Sequence, residues 1–297
     1  MSKTRKIILW VGGIYLLLAL GAAVFLGSSG KNEEFKPQNE FKLDTWINLP
    51  GPFDINKGVL YLVLAGILTC WTMIYIARRM QTRPNRMQTA VETLYALMRD
   101  NITRGNMDDR MAAKWFPFIG ALFLFIWYSN LLGFIPLPTN THETFNVFGA
   151  NLPAFAIYAA TANVSTPLIF SLMVFVFYTA EGIRAKGVGG YLRSLIPAGL
   201  HGGMAAFVFV LELLSNLMRI VSLSVRLFAN MLAGHLIILF MSGGLAILLG
   251  VVAVGVVALP LGFAIYVFEV GLVATLQAFI FATLSAIYLG GSVAESH

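Results

Sequence analysis

The stretch SLSVRLFANMLAGHLIILF, residues 222–240, sets one arginine in a run that is otherwise almost wholly apolar. A guanidinium does not lose its proton, so Arg226 has no neutral form in which to escape the cost of burial. At the centre of a bilayer that cost runs from about 3 to more than 10 kcal/mol, depending on the reference state. A permanent charge in such a place points to a task. The surrounding run fixes the solvent.

The whole chain shares this apolar character. Its 297 residues are 58% hydrophobic and 11% charged, with a mean hydropathy of +0.78, against roughly 25% charged residues in soluble domains. The chain therefore reads as an all-α polytopic membrane protein, and a soluble core is excluded. A single cysteine, Cys70, rules out a disulfide framework or a Cys-based metal site within the chain. No nucleic-acid module is recognisable, and no cofactor motif occurs.

Six apolar stretches stand out, at about 7–26, 58–77, 115–136, 163–183, 198–241 and 245–290. The first four approach the ~20 residues that cross a bilayer as a helix. The segment from Arg78 to Lys114 carries eight basic residues against four acids. The loop 184–193 carries Arg184, Lys186 and Arg193 and no acid, whereas 137–153 has no Lys or Arg. The positive-inside rule then puts the two basic loops and the C-terminus in the cytoplasm, and segments 27–57 and 137–153 outside. The first run, after MSKTRK, is either a retained helix or a signal segment. Its length exceeds the usual ~7–15-residue signal core, which favours a retained helix. The count is thus five or six membrane helices. Residues 1–57 form an N-terminal hydrophobic and external segment, and 58–297 the membrane domain.

Within the first basic loop, Met87, Ala90, Val91, Leu94, Leu97, Met98 and Ile102 recur at helical spacing. Such a row suits either an amphipathic helix on the cytoplasmic membrane surface or a loop helix with one solvated face. The last two runs are too long for ordinary crossings. As helices they would measure ~65–70 Å against ~30 Å of hydrocarbon. They are either broken or steeply tilted, as a hairpin turning at MSGGL (241–245), with a kink expected at Pro260. Long tilted helices offer a broad surface to a partner within the bilayer.

On a helical wheel Glu212, Ser215, Arg219, Ser222, Arg226 and Asn230 fall within an arc of about 80°, in a stripe some ~27 Å long. Intramembrane ionisable groups of this kind mark ion pathways. For Arg219 and Ser222 an interfacial anchor or a packing role competes equally. Glu212 lies too far along the helix to neutralise Arg226, whose counter-charge must come from the next run, from water or from another subunit. His235, nine residues after Arg226, lies on the opposite face. It is either a buried, satisfied histidine or a partner of Glu269 across the hairpin. These residues alone leave two readings open: an ion-conducting subunit built against a partner, or an independent secondary transporter or channel. An intramembrane enzyme is disfavoured, since no serine, zinc or paired-aspartate motif occurs.

The segments LELLSNLMRIVSLSVRLFANMLAGHLI (211–237) and LQAFIFATLSAIYL (276–289) resemble subunit a of F-type ATP synthases. FIWYSNLLGFIPLPT (125–139), ANVSTPL (162–168) and AKGVGGY (185–191) support the resemblance, which covers the chain from about residue 58 onward. It implies a stator subunit, not catalytic alone, beside a rotor ring of small subunits that each carry a mid-membrane carboxylate. It further implies partnership with the peripheral-stalk b subunits and the rest of the synthase, in a bacterial plasma membrane. Arg226 resembles the family's essential arginine, Gln277 the glutamine packed near it, and Asn230 the asparagine one turn on. Glu212 and Ser215 match positions of the cytoplasmic half-channel, and His235 a position of the outer one. Some relatives carry histidine where this chain has Val270, and proline where it has Ile220. Glu269, one residue before Val270, is then expected to form with His235 an acid–histidine pair whose members are exchanged.

Overall fold

The computed structural model describes residues 55–79, 86–147, 150–156, 158–196, 200, 202–241 and 252–293. It also describes positions 10, 12–15, 17, 21 and 45–47. The first apolar run and the MSGGL turn lie almost wholly outside the described residues. Five described helices are long and apolar enough to cross a membrane.

The elements follow the apolar runs closely. A short pair, β1 (Thr45–Ile47) with β2 (Ile55–Asn56), leads into α1 (Lys57–Arg79). The basic segment forms α2 (Arg86–Ala96), continued by a π-helical stretch, Leu97–Arg104, in which the Thr103 hydroxyl donates to the Met98 carbonyl. Then come α3 (Asp109–Gly133) and the antiparallel hairpin β3 (Leu137–Val147) with β4 (Ala150–Ala156). A 3-10 turn at Ala160–Ala162 leads into α4 (Ser165–Ser194). The long helices are α5 (Gly203–Leu239) and α6 (Val252–Phe268). A π turn at Glu269–Val273 joins α6 to α7 (Ala274–Val293). The membrane body is all helical, and the two hairpins occupy connecting segments.

Helix α3 is the hub. It packs against α7, α1 and the π-helical stretch, while α4 packs against α5 and α7. Ile119, Phe123, Leu124 and Ile126 of α3 are buried with Met98 and Ile102. The apolar row of the basic segment, in its second half, is therefore taken up by α3. Tyr95 also sets its ring edge-on to Phe116 at 5.1 Å. On α7 the buried row is built of small residues: Ala274, Ala278, Ala282, Ser285 and Ala286. Small side chains let helices approach closely where no hydrophobic effect drives them together.

The two final runs stay long. Thirty-seven residues make α5, about 55 Å at 1.5 Å per residue. The last helix continues past Pro260, so its departure from α geometry comes nine residues later, at the π turn. The α4 helix bends at Gly187, whose φ of 73° and ψ of 163° lie in a region that essentially only glycine adopts. After the bend, the Tyr191 ring folds back over Gly182, where no side chain fits. The end of the body nearest β3–β4 is capped by Lys57, which lies 4.9 Å over the ring of buried Tyr158. Burial pushes the Tyr158 hydroxyl up to about 12.

Candidate functional site

The polar stripe of α5 lies one helical step from the helix's buried row, which runs through Asn216, Ile220, Leu223, Leu227, Met231 and His235. Ser215, Ser222 and Arg226 are exposed, while Glu212, Arg219 and Asn230 are half-buried. Among the described residues Arg226 reaches only the Ser222 hydroxyl, at 3.5 Å. Among the described residues no carboxylate comes within 4.0 Å of it. Val221, Ser222, Val225, Arg226 and Ala229 form an exposed row on this helix. Leu214, Leu217, Val221 and Val225 stand exposed along it.

Arg219 meets a different fate. It pairs with Glu212 at 3.6 Å and lies 5.0 Å over the Tyr288 ring. The pair lines a cleft of about 380 Å³ with Tyr178, Asn216, Tyr288 and Ser292. The Tyr178 hydroxyl donates to Asn216 Oδ1 at 3.5 Å. Glu212 lines this cleft, whereas Ser215 does not. The sequence reading passed over Tyr178, Asn216 and Tyr288. Asn216, one turn after Glu212 on the same helix, was the available signal. It also passed over Glu181, a buried carboxylate ion-paired with Lys114 and 4.0 Å from Arg184.

His235 is buried, on the face opposite Arg226. Its Nδ1 lies 2.8 Å from the Met231 carbonyl and its Nε2 3.0 Å from that of Gly133. The ring stacks on Phe134 at 4.7 Å. The expected pair with Glu269 is not formed: both ring nitrogens are occupied by carbonyls from α3 and α5. Instead the Glu269 carboxylate lies against Gly234, the neighbour of His235. It is buried, and its Oε2 has no hydrogen-bond partner. Around this pair the end of α3 supplies further bonds. Asn130 donates to the Ala274 carbonyl at 3.2 Å and accepts from Thr161 at 2.8 Å. Trp127 donates to Thr275 at 3.0 Å, and Tyr266 to the Phe134 carbonyl at 3.0 Å. The motif FIWYSNLLGF thus braces the π turn. Gln277 is buried on α7, and no hydrogen bond joins it to Arg226 among the described residues.

The site therefore has three parts along α5. Glu212 and Arg219 open into one cleft, and His235 and Glu269 form a buried polar seam about 35 Å from Glu212 by helical rise. The exposed Arg226 stands between them, about 21 Å from Glu212 and about 13 Å from His235 along the helix. Two polar regions lie apart along a helix long and apolar enough to cross a membrane, with an exposed cation between them, in a multi-pass membrane protein.

Comparison with known proteins agrees with that class. Residues 59–290 match the family model described as ATP synthase A chain. The chain is 32% identical over 262 residues to the ATP synthase subunit a of Myxococcus xanthus, covering 84% of this chain and 78% of that protein. It is 34% identical over 252 residues to that of a Nocardioides species, covering 82% and 83%. With that of Ehrlichia chaffeensis it shares 30% over 266 residues, covering 87% and 98%. The chain belongs to the ATP synthase A chain family, as a membrane-sector subunit of the F-type ATP synthase that is not catalytic alone. Its partner is the rest of that synthase.

Proposed function

We propose that this chain is the ion-conducting stator of the synthase, with Arg226 facing the carboxylates of the rotor c-ring. The observation that carries the reading is the exposure of Arg226 without a carboxylate partner among the described residues. A permanent cation there needs an anion from outside the chain. A ring carboxylate passing Arg226 is held ionised, and one that turns into lipid must first take up a proton. Protons enter through the seam of His235 and Glu269, with Gln277 and Asn230 flanking the exchange, and leave through the cleft of Glu212, with Ser215 on its outer side. Because Arg226 separates the two regions, a proton passes between them only by riding the ring. The basic loops and the C-terminus then lie in the cytoplasm of a bacterium whose plasma membrane holds the complex, and peripheral-stalk b subunits hold the stator still.

The test is Arg226→Ala in the assembled complex in inverted membrane vesicles. ATP-driven acidification and ATP synthesis are expected to fall to background while assembly persists. Near-normal coupling would overturn the reading. An independent transporter would instead purify without a ring oligomer and retain transport.

A further inference from the structure

The last membrane helix contains one residue more than an α-helix of the same length would hold. Glu269–Val273 form a π turn, and a π turn takes up an extra residue in place of an α turn. Burial records the insertion. Ala258, Gly262 and Glu269 are buried before it and Ala274, Ala278, Phe281, Ser285 and Leu289 after it. Along this one row of the buried residues the steps are single or double α turns, except from Glu269, at the start of the turn, to Ala274, where the step is five residues.

The consequence is a rotation. On an unbroken α-helix the eight steps from Glu269 to Gln277 would turn by about 800°, leaving the two side chains some 80° apart. With one residue absorbed in the π turn they behave as seven steps, about 700°, and fall within roughly 20° of one face. Both are buried. What Glu269 meets on that face is Gly234 of α5. A Cβ at residue 234 would stand 2.6 Å from the Glu269 carboxyl carbon and 3.0 Å from Oε1. The carboxylate is thus seated where α5 has no side chain, with Oε2 left without a hydrogen-bond partner.

We propose that the π turn at 269–273 and Gly234 together form a positioning device. The extra residue turns Glu269 into line with Gln277, and the bare backbone at Gly234 gives its carboxylate a seat beside His235. The inference rests on the proposed role of Glu269 in proton entry. What matters in it is the direction in which the carboxylate points, and the irregular backbone is only the means.

That distinction makes an unusual expectation. Deleting Gly271 removes the extra residue, so the segment closes to an ordinary α-helix. Glu269 then stands seven residues before the glutamine and keeps its face, and everything upstream keeps its place. Passive proton conduction through the membrane sector, measured in vesicles stripped of the catalytic sector, is expected within about threefold of the parent. Exchanging the carboxylate with its neighbour, Glu269→Val with Val270→Glu, preserves composition and moves the acid by about 100°. Conduction is then expected to drop by about tenfold or more at unchanged assembly, since small misplacements of a reacting group are costly. Gly234→Ala, which pushes the flexible carboxylate aside without filling the core, is expected to lose conduction several-fold. Normal conduction in the exchange variant overturns the proposal, as does loss of conduction in an assembled Gly271 deletion. Should the deletion fail to assemble, the exchange variant decides alone. Arg226→Ala, read for ATP-driven acidification in vesicles that keep the catalytic sector, separates the two levels. If it couples normally, the stator reading fails. If it is inactive while the exchange variant is normal, only the positioning device fails.

Discussion

Arg219 and Arg226 stand seven residues apart on one face of α5, and their surroundings divide their work. Arg219 has a carboxylate at 3.6 Å and an aromatic ring beneath it, so its charge is spent within the chain. Arg226 has neither. Both were legible in the sequence as members of one stripe. Their different partners were not, because Tyr288 comes from a helix about seventy residues away. The Glu212–Arg219 pair is partly exposed, and such pairs contribute up to about 1 kcal/mol. Glu212→Gln is therefore expected to leave assembly intact and to slow proton conduction several-fold. Quantifying the complex by native gel alongside conduction checks it, and a loss of both in parallel would make Glu212 a structural residue only. His235 poses the complementary question. Its ring ties α5 to the end of α3 through the Gly133 carbonyl, a task that a glutamine amide can also perform. An amide does not titrate, and imidazole does so near neutrality. His235→Gln is expected to keep the complex assembled and to flatten the dependence of conduction on pH between about 5 and 8. An unchanged profile would reduce His235 to a tie between helices.

At the scale of elements, the apolar runs among the described residues announced the helices, since hydrocarbon thickness and hydropathy leave few choices. Helix α4, however, runs on past its apolar run through 184–193, which the sequence presents as a basic loop. The irregularities inside the helices were hidden. The helix runs on through Pro260 and leaves α geometry at Glu269–Val273. No residue type codes for a π turn there. It follows from packing, because Asn130 and Trp127 of α3 bond Ala274 and Thr275 immediately after it. The bend of α4 was half legible, in the glycines of AKGVGGY, but which glycine carries it was not. Gly187 holds a conformation that costs any other residue about 1–3 kcal/mol. Gly187→Ala is expected to lower the thermal stability of the purified complex, whereas Gly189→Ala, at a position with open space and ordinary φ, is expected to be nearly silent. Melting curves of the two variants side by side test this.

At the scale of the whole molecule, α5 packs on α4 and turns one face away from the other described helices. Helices α3, α4 and α7 bury one another, while α5 touches them along a single row and turns Leu214, Leu217, Val221 and Val225 outward beside Arg226. In a bilayer an exposed apolar face alone signifies nothing, because lipid covers it without cost. A guanidinium in the same face is different, since lipid solvates it badly, and an anionic protein partner removes the penalty. The sequence conveyed the stripe but not that it would face outward, because exposure depends on which row the other helices choose to cover. Single cysteines at Leu217 and Val225, in a chain whose Cys70 is replaced by alanine, are therefore expected to react slowly with a lipid-soluble maleimide in the complete complex. They should react several-fold faster in membranes where the rotor ring is not expressed. A cysteine at Leu172, exposed on α4, serves as the control and is expected to react equally in both. Equal reactivity at Leu217 and Val225 with and without the ring would mean that lipid, and no rotor, covers this face. The counter-charge of Arg226 would then have to be sought elsewhere.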